Sequence, residues 1–252
     1  PYAACIAISV ALFIQAIIFG DGGILSFGAN CFNIAFILPF TGFFIYKILN
    51  KIHLSPFYHK CTIFLSAYIS INLAAFFTAL ELGIQPLLFV DNLAQPLYCP
   101  YPLWISIPAM ALSHLTIAGI AEGLFTLSLY LFILKTSPNI IYDSQQIKLN
   151  SIFSLLAFLI IIPPLGLIAE GTAWGEWAPE EILNDTSSGV PLGFIPEKLL
   201  NGFNYEAFFP DYTMSGTTDI LAYIASAIIG VALLIIIFKI LGSIIYAKKQ
   251  SL

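Results

Sequence analysis

The stretch FGDGGILSFGANCFN, Phe19 to Asn33, lies between two apolar runs, and its reading decides the fold. Neither Tyr2–Ile18 before it nor Ile34–Tyr46 after it contains a charged residue. Each flank approaches the ~20 apolar residues that a helix needs to cross the hydrocarbon. The stretch itself holds one acid, four glycines and two asparagines. It reads as a polar connector joining two membrane-spanning helices.

The rest of the 252 residues continue that pattern: 59% are hydrophobic, 9% charged, and the mean hydropathy is +0.93. Soluble domains carry about 25% charged residues, so this chain lacks the means to build an ordinary water-facing surface. Six segments are apolar enough to span: roughly 2–19, 31–49, 61–83, 103–135, 150–169 and 219–246. None alternates like a transmembrane barrel strand. The expectation is an all-α polytopic transmembrane helix bundle, one membrane-embedded domain over 1–252 with a long extracytoplasmic loop over 169–218. No basic stretch precedes the first apolar run, so no signal peptide is read.

Lysine placement sets an orientation. With an inside start, the loops 50–60 and 136–149 and the C-terminal tail share one face. Lys47, Lys51, Lys60, Lys135, Lys148, Lys239, Lys248 and Lys249 lie in or beside them, and only Lys198 falls opposite. That makes the C-terminus cytoplasmic and the opening stretch external. Tyr98, Tyr101, Trp104, Trp174 and Trp177 then sit near the outer interface. The long outer loop is acidic, from Glu170 to Asp211. It is either a vestibule that concentrates cations or a solvated surface.

Small residues recur every fourth position: Ala3, Ala7, Ala11; Ser66, Ser70, Ala74, Thr78; Gly119 and Gly123; Ala222, Ser226, Gly230. Such stripes let helices approach closely in lipid, either within the bundle or against a second membrane protein. Polar residues at depth are few: Gln15, Asn33, Asn72, Glu81, His114 and Glu122. Each must find a partner or line a cavity. His114 and Glu122 are separated by ~12 Å of rise and about 80° of rotation on one helix, too far to share an ion. His114 is a metal ligand or a hydrogen-bonded packing histidine; Glu122 is a structural partner to a neighbouring helix or a proton relay. His53 and His59 read as surface residues of a loop.

Several chemistries are excluded. No GxxxxGK[ST] is present, so the chain has no P-loop. GxGxxG fails at Leu25. HExxH and GxSxG are absent, and Ser113 beside His114 is poorly placed as a nucleophile–base pair. The chain has no arginine and a net charge of −5, which argues against a phosphate clamp and against nucleic acid as partner. Cys5, Cys31, Cys61 and Cys99 are too scattered for a CxxC motif and read as packing residues. A glycine-rich loop lets backbone approach a small polar ligand closely, so Phe19–Asn33 is a mouth element shaping a polar site or a tight connector.

Longer blocks add a resemblance. ALFIQAIIFGDGGILSFGANCFNIAFILPFTGFFIYKIL (Ala11–Leu49) resembles the CbiM/NikM family, the cobalt/nickel substrate-capture membrane subunits of energy-coupling-factor transporters. INLAAFFTALELGIQPLLF (Ile71–Phe89), IPAMALSHLTIAGIAEG (Ile107–Gly123), GTAWGEWAPEEI (Gly171–Ile182) and PDYTMSG (Pro210–Gly216) agree in order and spacing. The resemblance implies a subunit of about seven helices in the plasma or inner membrane of a prokaryote. Its substrate would be Co²⁺ or Ni²⁺, destined for cobalamin synthesis or nickel enzymes, and no resident cofactor is implied. Its partners would be a transmembrane coupling subunit, a pair of cytoplasmic ATPases and a small accessory membrane subunit. The family's primary ligands, an initial Met-His and a later histidine, are expected upstream of Pro1. Asp21, Asn30, Asn33 and His114 match positions within the family blocks as supporting or vestibule residues. Two other classes remain as expectations: a secondary proton-coupled transporter using Glu81 or Glu122, and an intramembrane enzyme with His114 as base.

Overall fold

The computed structural model describes residues 1–51, 55–138, 149–168 and 172–250. It is an all-α polytopic membrane protein. The long helices are α1 (Tyr2–Phe19), α2 (Phe27–Leu49), α3 (Pro56–Leu88), α4 (Leu103–Thr136), α5 (Leu149–Ile161) and α8 (Asp219–Gln250); α6 (Pro179–Asn184) and α7 (Glu197–Leu200) are short. α1 to α4 and the Asp219–Ile244 part of α8 are long and apolar enough to cross a bilayer. The fifth expected span is shorter than the sequence suggests. α5 stops at Ile161, and Pro163–Ile168 continues as a 3₁₀ turn, because Pro163 and Pro164 cannot donate to the helix ladder.

The helices form two compact units, interleaved along the sequence. The first comprises Pro1–Ala4, Phe32–Lys135 and Gly171–Asn204; the second comprises Cys5–Cys31, Thr136–Glu170 and Tyr205–Leu252.

In the first unit α3 is the central element. Ser55 caps it, accepting from the Tyr58 amide at 3.4 Å, and Pro56 fills the first helical position, where its missing N–H costs nothing. The Ser66, Ser70, Ala74 stripe is buried. A Cβ on Gly42 of α2 would lie 3.4 Å from Ser70 Oγ, so this stripe packs inside the unit. The Gly119 and Gly123 stripe of α4 is internal too. A Cβ on Gly123 would stand 2.6 Å from the Phe64 ring, and one on Gly119 2.6 Å from Asn72 Nδ2. Near the other end of α3, a Cβ on Gly83 would reach 2.8 Å from Leu103 Cα, and the Ser106 hydroxyl donates to the Ala79 carbonyl at 2.9 Å.

α4 widens into a π-helical turn at His114–Ala118. The Tyr68 hydroxyl of α3 donates to the Leu115 carbonyl in that turn at 2.8 Å. His59 is not a loop surface residue. It lies in the first turn of α3, its Nδ1 hydrogen-bonded with Asn50 Oδ1 at 3.0 Å and its Nε2 with the Tyr130 hydroxyl at 3.1 Å. One imidazole thus ties the end of α2 to α3 and α4. His53 lies outside the described residues. Glu122 accepts from Thr126 of its own helix at 3.3 Å, and among the described residues no bond joins it to a neighbouring helix.

Loop residues seal the Leu88 end of α3. Tyr101 is buried, flanked by Trp174 and Trp177 at ring distances of 5.9 and 5.5 Å, and its hydroxyl donates to Asp185. Burial opposes ionisation of Asp185, but hydrogen bonds from Tyr101, Ser187 and Trp177 outweigh it and hold the carboxyl below its usual range. Burial likewise pushes the Cys99 thiol up to about 11.

The helix contacts generate a paired expectation. Gly119→Ala places a methyl 2.3 Å from the His114 carbonyl and 2.6 Å from Asn72, an overpacking that costs about 1–3 kcal/mol. Gly28→Ala on α2 meets nothing within 4 Å and leaves stability unchanged or raised by up to about 1 kcal/mol. Thermal unfolding in detergent separates the two.

Candidate functional site

The opening stretch takes its shape from its glycines. α1 ends in a π-helical turn, Gln15–Phe19, and Gly20 follows in the left-handed region at φ 73°. Gly22 and Gly23 share that conformation at 72° and 70°, which L-residues with a Cβ rarely adopt. Space adds a second reason at Gly22, where a Cβ would sit 2.9 Å from Asn30 Nδ2. Asn30 itself donates to the Gly22 carbonyl at 3.0 Å, and Ser26 Oγ donates to the same oxygen. The loop is therefore a hydrogen-bonded knot.

Asp21 is the hydrogen-bonding centre of the loop. One carboxylate oxygen accepts from Gln15 Nε2 at 2.6 Å and from the Tyr212 hydroxyl at 2.5 Å. Burial, then the hydrogen bond to Asp21 and its charge, raises the Tyr212 phenol well above its ordinary value, so the hydroxyl stays protonated and keeps donating. The ring stacks on Phe19 at 4.9 Å. Asp211 and Tyr212 both have positive φ, 49° and 60°, a strain that persists only where surrounding contacts over-determine it. Those contacts are visible. The Phe209 amide donates to the Ile18 carbonyl at 2.9 Å, and the Tyr205 hydroxyl donates to Ile17 at 3.1 Å. Both carbonyls belong to the last turn of α1, which has no helical partner for them.

Gln15 and Tyr212 also line an apolar cavity of about 460 Å³. α1, α5 and α8 form its walls, with Leu156, Pro163, Tyr223 and Gly230 among them. The Ala222, Ser226, Gly230 stripe of α8 presents Ser226 and Gly230 to this cavity.

Of the candidates from sequence, Asp21 and Asn30 share the knot around Gly22. Asn33 belongs to another contact, donating through Nδ2 to Glu81 Oε2 at 2.7 Å. His114 turns back on its own helix, its Nδ1 donating to the Met110 carbonyl at 2.9 Å. Among the described residues, no three of His, Cys, Asp and Glu gather closely enough to hold a metal ion. Asp21 is thus a single carboxylate held in position by neutral donors. Sequence reasoning missed Tyr212 as its partner. Only the PDYTMSG block hinted that those residues matter.

These are the features of a polytopic membrane protein with a hydrogen-bonded polar loop at its helix ends. The family follows from comparison with known proteins. Residues 1–140 match CbiM, the cobalt uptake substrate-specific transmembrane region, and residues 149–247 match the PDGLE domain. The chain belongs to the CbiM family. It is 40% identical over 240 residues to a probable fused nickel transport protein, LarMN, of Lactiplantibacillus plantarum, covering 95% of this chain and 72% of that one. It is 38% identical over 251 residues to a fused nickel transport protein, NikMN, of Rhodobacter capsulatus, covering 93% and 72%. A crystal structure of a transition metal transporter aligns with a TM-score of 0.52 at 46% identity, covering 57% of this chain and 62% of that one. A truncated transition metal transporter aligns at 0.51 and 48%, covering 54% and 62%.

Tyr212→Phe removes a donor to a charged acceptor and lowers stability by about 1.5–3 kcal/mol. The raised phenol fixes the pH window. The advantage of wild type over the variant is fully present below the unfolded tyrosine value of about 10. It is lost as pH rises through the higher folded value. Paired melts from neutral to alkaline pH measure it. A difference that does not shrink above pH ~10 contradicts the assignment.

Proposed function

We propose that this chain is the membrane substrate-binding subunit of an ATP-driven importer of the energy-coupling-factor kind, capturing Co²⁺ or Ni²⁺ from outside the cell. The observation that carries the reading is the Asp21 knot, which lies inside the family region described as substrate-specific for cobalt uptake. Names of relatives that cover most of this chain point to nickel. Oriented ligands need supporting partners, and a carboxylate locked by Gln15 and Tyr212 is suited to steering or supporting a cation whose nitrogen ligands come from elsewhere. Nitrogen-rich donor sets suit both ions.

In this reading residues 1–252 act as one transport domain in a prokaryotic plasma or inner membrane. The lysine-rich loops and the C-terminus face the cytoplasm, and Asp21 faces out. A coupling subunit and an ATPase pair supply the energy. Two relatives are named fused proteins. That naming supports assigning the accessory-subunit role to the 149–247 region of this same chain.

Metal uptake by vesicles tests the proposal. The full-length protein with its coupling and ATPase partners accumulates Co²⁺ or Ni²⁺ only with ATP inside, and Asp21→Ala weakens metal binding by roughly 10–100-fold. Uptake that proceeds without ATPases and collapses with the proton gradient overturns it and assigns a secondary transporter. Turnover of a lipid or peptide without metal movement assigns an enzyme.

A further inference from the structure

Asn33 and Glu81 join α2 to α3 through a bond that is half complete. Asn33 is only 3% exposed and sits in the π-helical turn Cys31–Ile37 of α2. Its Nδ2 donates to Glu81 Oε2 at 2.7 Å, while its Oδ1 is buried with no hydrogen-bond partner. It is the one such side-chain atom among the described residues. A buried acceptor left unpaired is costly, and an ionised carboxylate in a membrane-spanning helix is costlier still without a compensating charge.

Among the described residues no such charge is shown beside Glu81. Within two turns of Glu81 on α3, and within two turns of Asn33 on α2, the sequence has no other charged residue, and Cys31 is the only other titratable group. α4, packed on α3, offers His114, whose Nδ1 is committed to Met110. The loop sealing this end of α3 offers Cys99, Tyr101, Asp185 and Lys198. Tyr101 and Asp185 are bonded to each other, and Lys198 lies 3.7 Å from Glu197.

A proton resolves both problems. A carboxylic acid has one O–H donor and one free carbonyl acceptor, and a primary amide has the matching pair. Together they close a ring of two hydrogen bonds: amide N–H to acid carbonyl, acid O–H to amide oxygen. Exchanging the amide's two ends gives the same answer, because an amide oxygen 2.7 Å from a carboxyl oxygen also requires a proton between them. We propose that Glu81 is carried as the neutral acid, that its O–H is donated to Asn33 Oδ1, and that this acid–amide pair is a proton-holding latch between α2 and α3.

The latch is a fixed structural proton, not a transported one. Glu81→Gln preserves it, since glutamine supplies the same donor and acceptor in nearly the same shape. Glu81→Ala and Asn33→Ala break it.

Infrared spectroscopy of the full-length protein in lipid, read without any metal, tests the idea. Wild type shows the carbonyl band of a protonated carboxyl at neutral pH. Glu81→Gln loses that band and keeps the wild-type melting temperature, whereas Glu81→Ala and Asn33→Ala melt lower. Glu122→Gln, removing the acid of α4, leaves the band in place. A spectrum in which wild type and Glu81→Gln are identical in the carboxyl region shows an ionised Glu81 and overturns the proposal. So does a Glu81→Gln protein that melts as low as Glu81→Ala. Because neither readout involves transport, the latch and the import function fail separately.

Discussion

Inside a bilayer every backbone polar group must find its partner within the protein, and the irregular parts of this fold follow from that constraint. An α-helix satisfies its own interior, so irregularity shows wherever the ladder is broken. The π turn of α4 takes the Tyr68 hydroxyl at the Leu115 carbonyl. The π turn ending α1 exposes Ile17 and Ile18, which the Tyr205 hydroxyl and the Phe209 amide satisfy. The π turn of α2 holds Asn33 against Glu81. π turns are frequent at functional sites, and here each recruits a group from a distant part of the chain.

How much of this the sequence discloses depends on the range of the interaction. Span positions are legible because hydrophobicity is additive along the chain, and α1, α2, α3, α4 and α8 lie where the apolar runs put them. The shortened α5 was written in Pro163–Pro164, but an apolar run read as a composition hides a break that is a matter of backbone donors. The position of His59 could have been found from Ser55-Pro56, a helix-start signal. It was missed because charge counting grouped the segment with a loop. Asp21 stood out as the lone acid between oily runs, whereas its partner lies 191 residues away. Neither periodicity nor spacing reports a contact of that range. Asn33 and Glu81 were each legible as polar residues that need partners; which partner each takes was not.

The small-residue stripes show the same limit. Sequence leaves open whether such a stripe faces inward or outward. Geometry answers for Gly119 and Gly123, where a side chain would collide with Asn72 and Phe64, and for Ser70 facing Gly42. Ala3 and Ala7 of α1 are exposed instead. Identical four-residue spacing thus serves internal packing on α3 and α4 and not at the start of α1. What decides is the bulk of the opposing residue, a property of another helix.

The two family regions are not two separately folded parts. Residues 171–204 of the second region pack in the same compact unit as most of the first, while Cys5–Cys31 of the first pack with Tyr205–Leu252 of the second. The Asp21–Tyr212 bond makes the consequence concrete, because the carboxylate of one region is oriented by a hydroxyl of the other. As separate polypeptides, the two would have to meet before that donor arrived. On one chain the encounter is intramolecular, with an effective concentration that can reach the millimolar range. The strained backbone at Asp211 and Tyr212 is then tolerable, because the turn that carries it is anchored to the end of α1 by Ile17 and Ile18. Carriage of both regions on one chain therefore has a structural consequence. It lets a strained turn serve as a permanent part of the loop around Asp21.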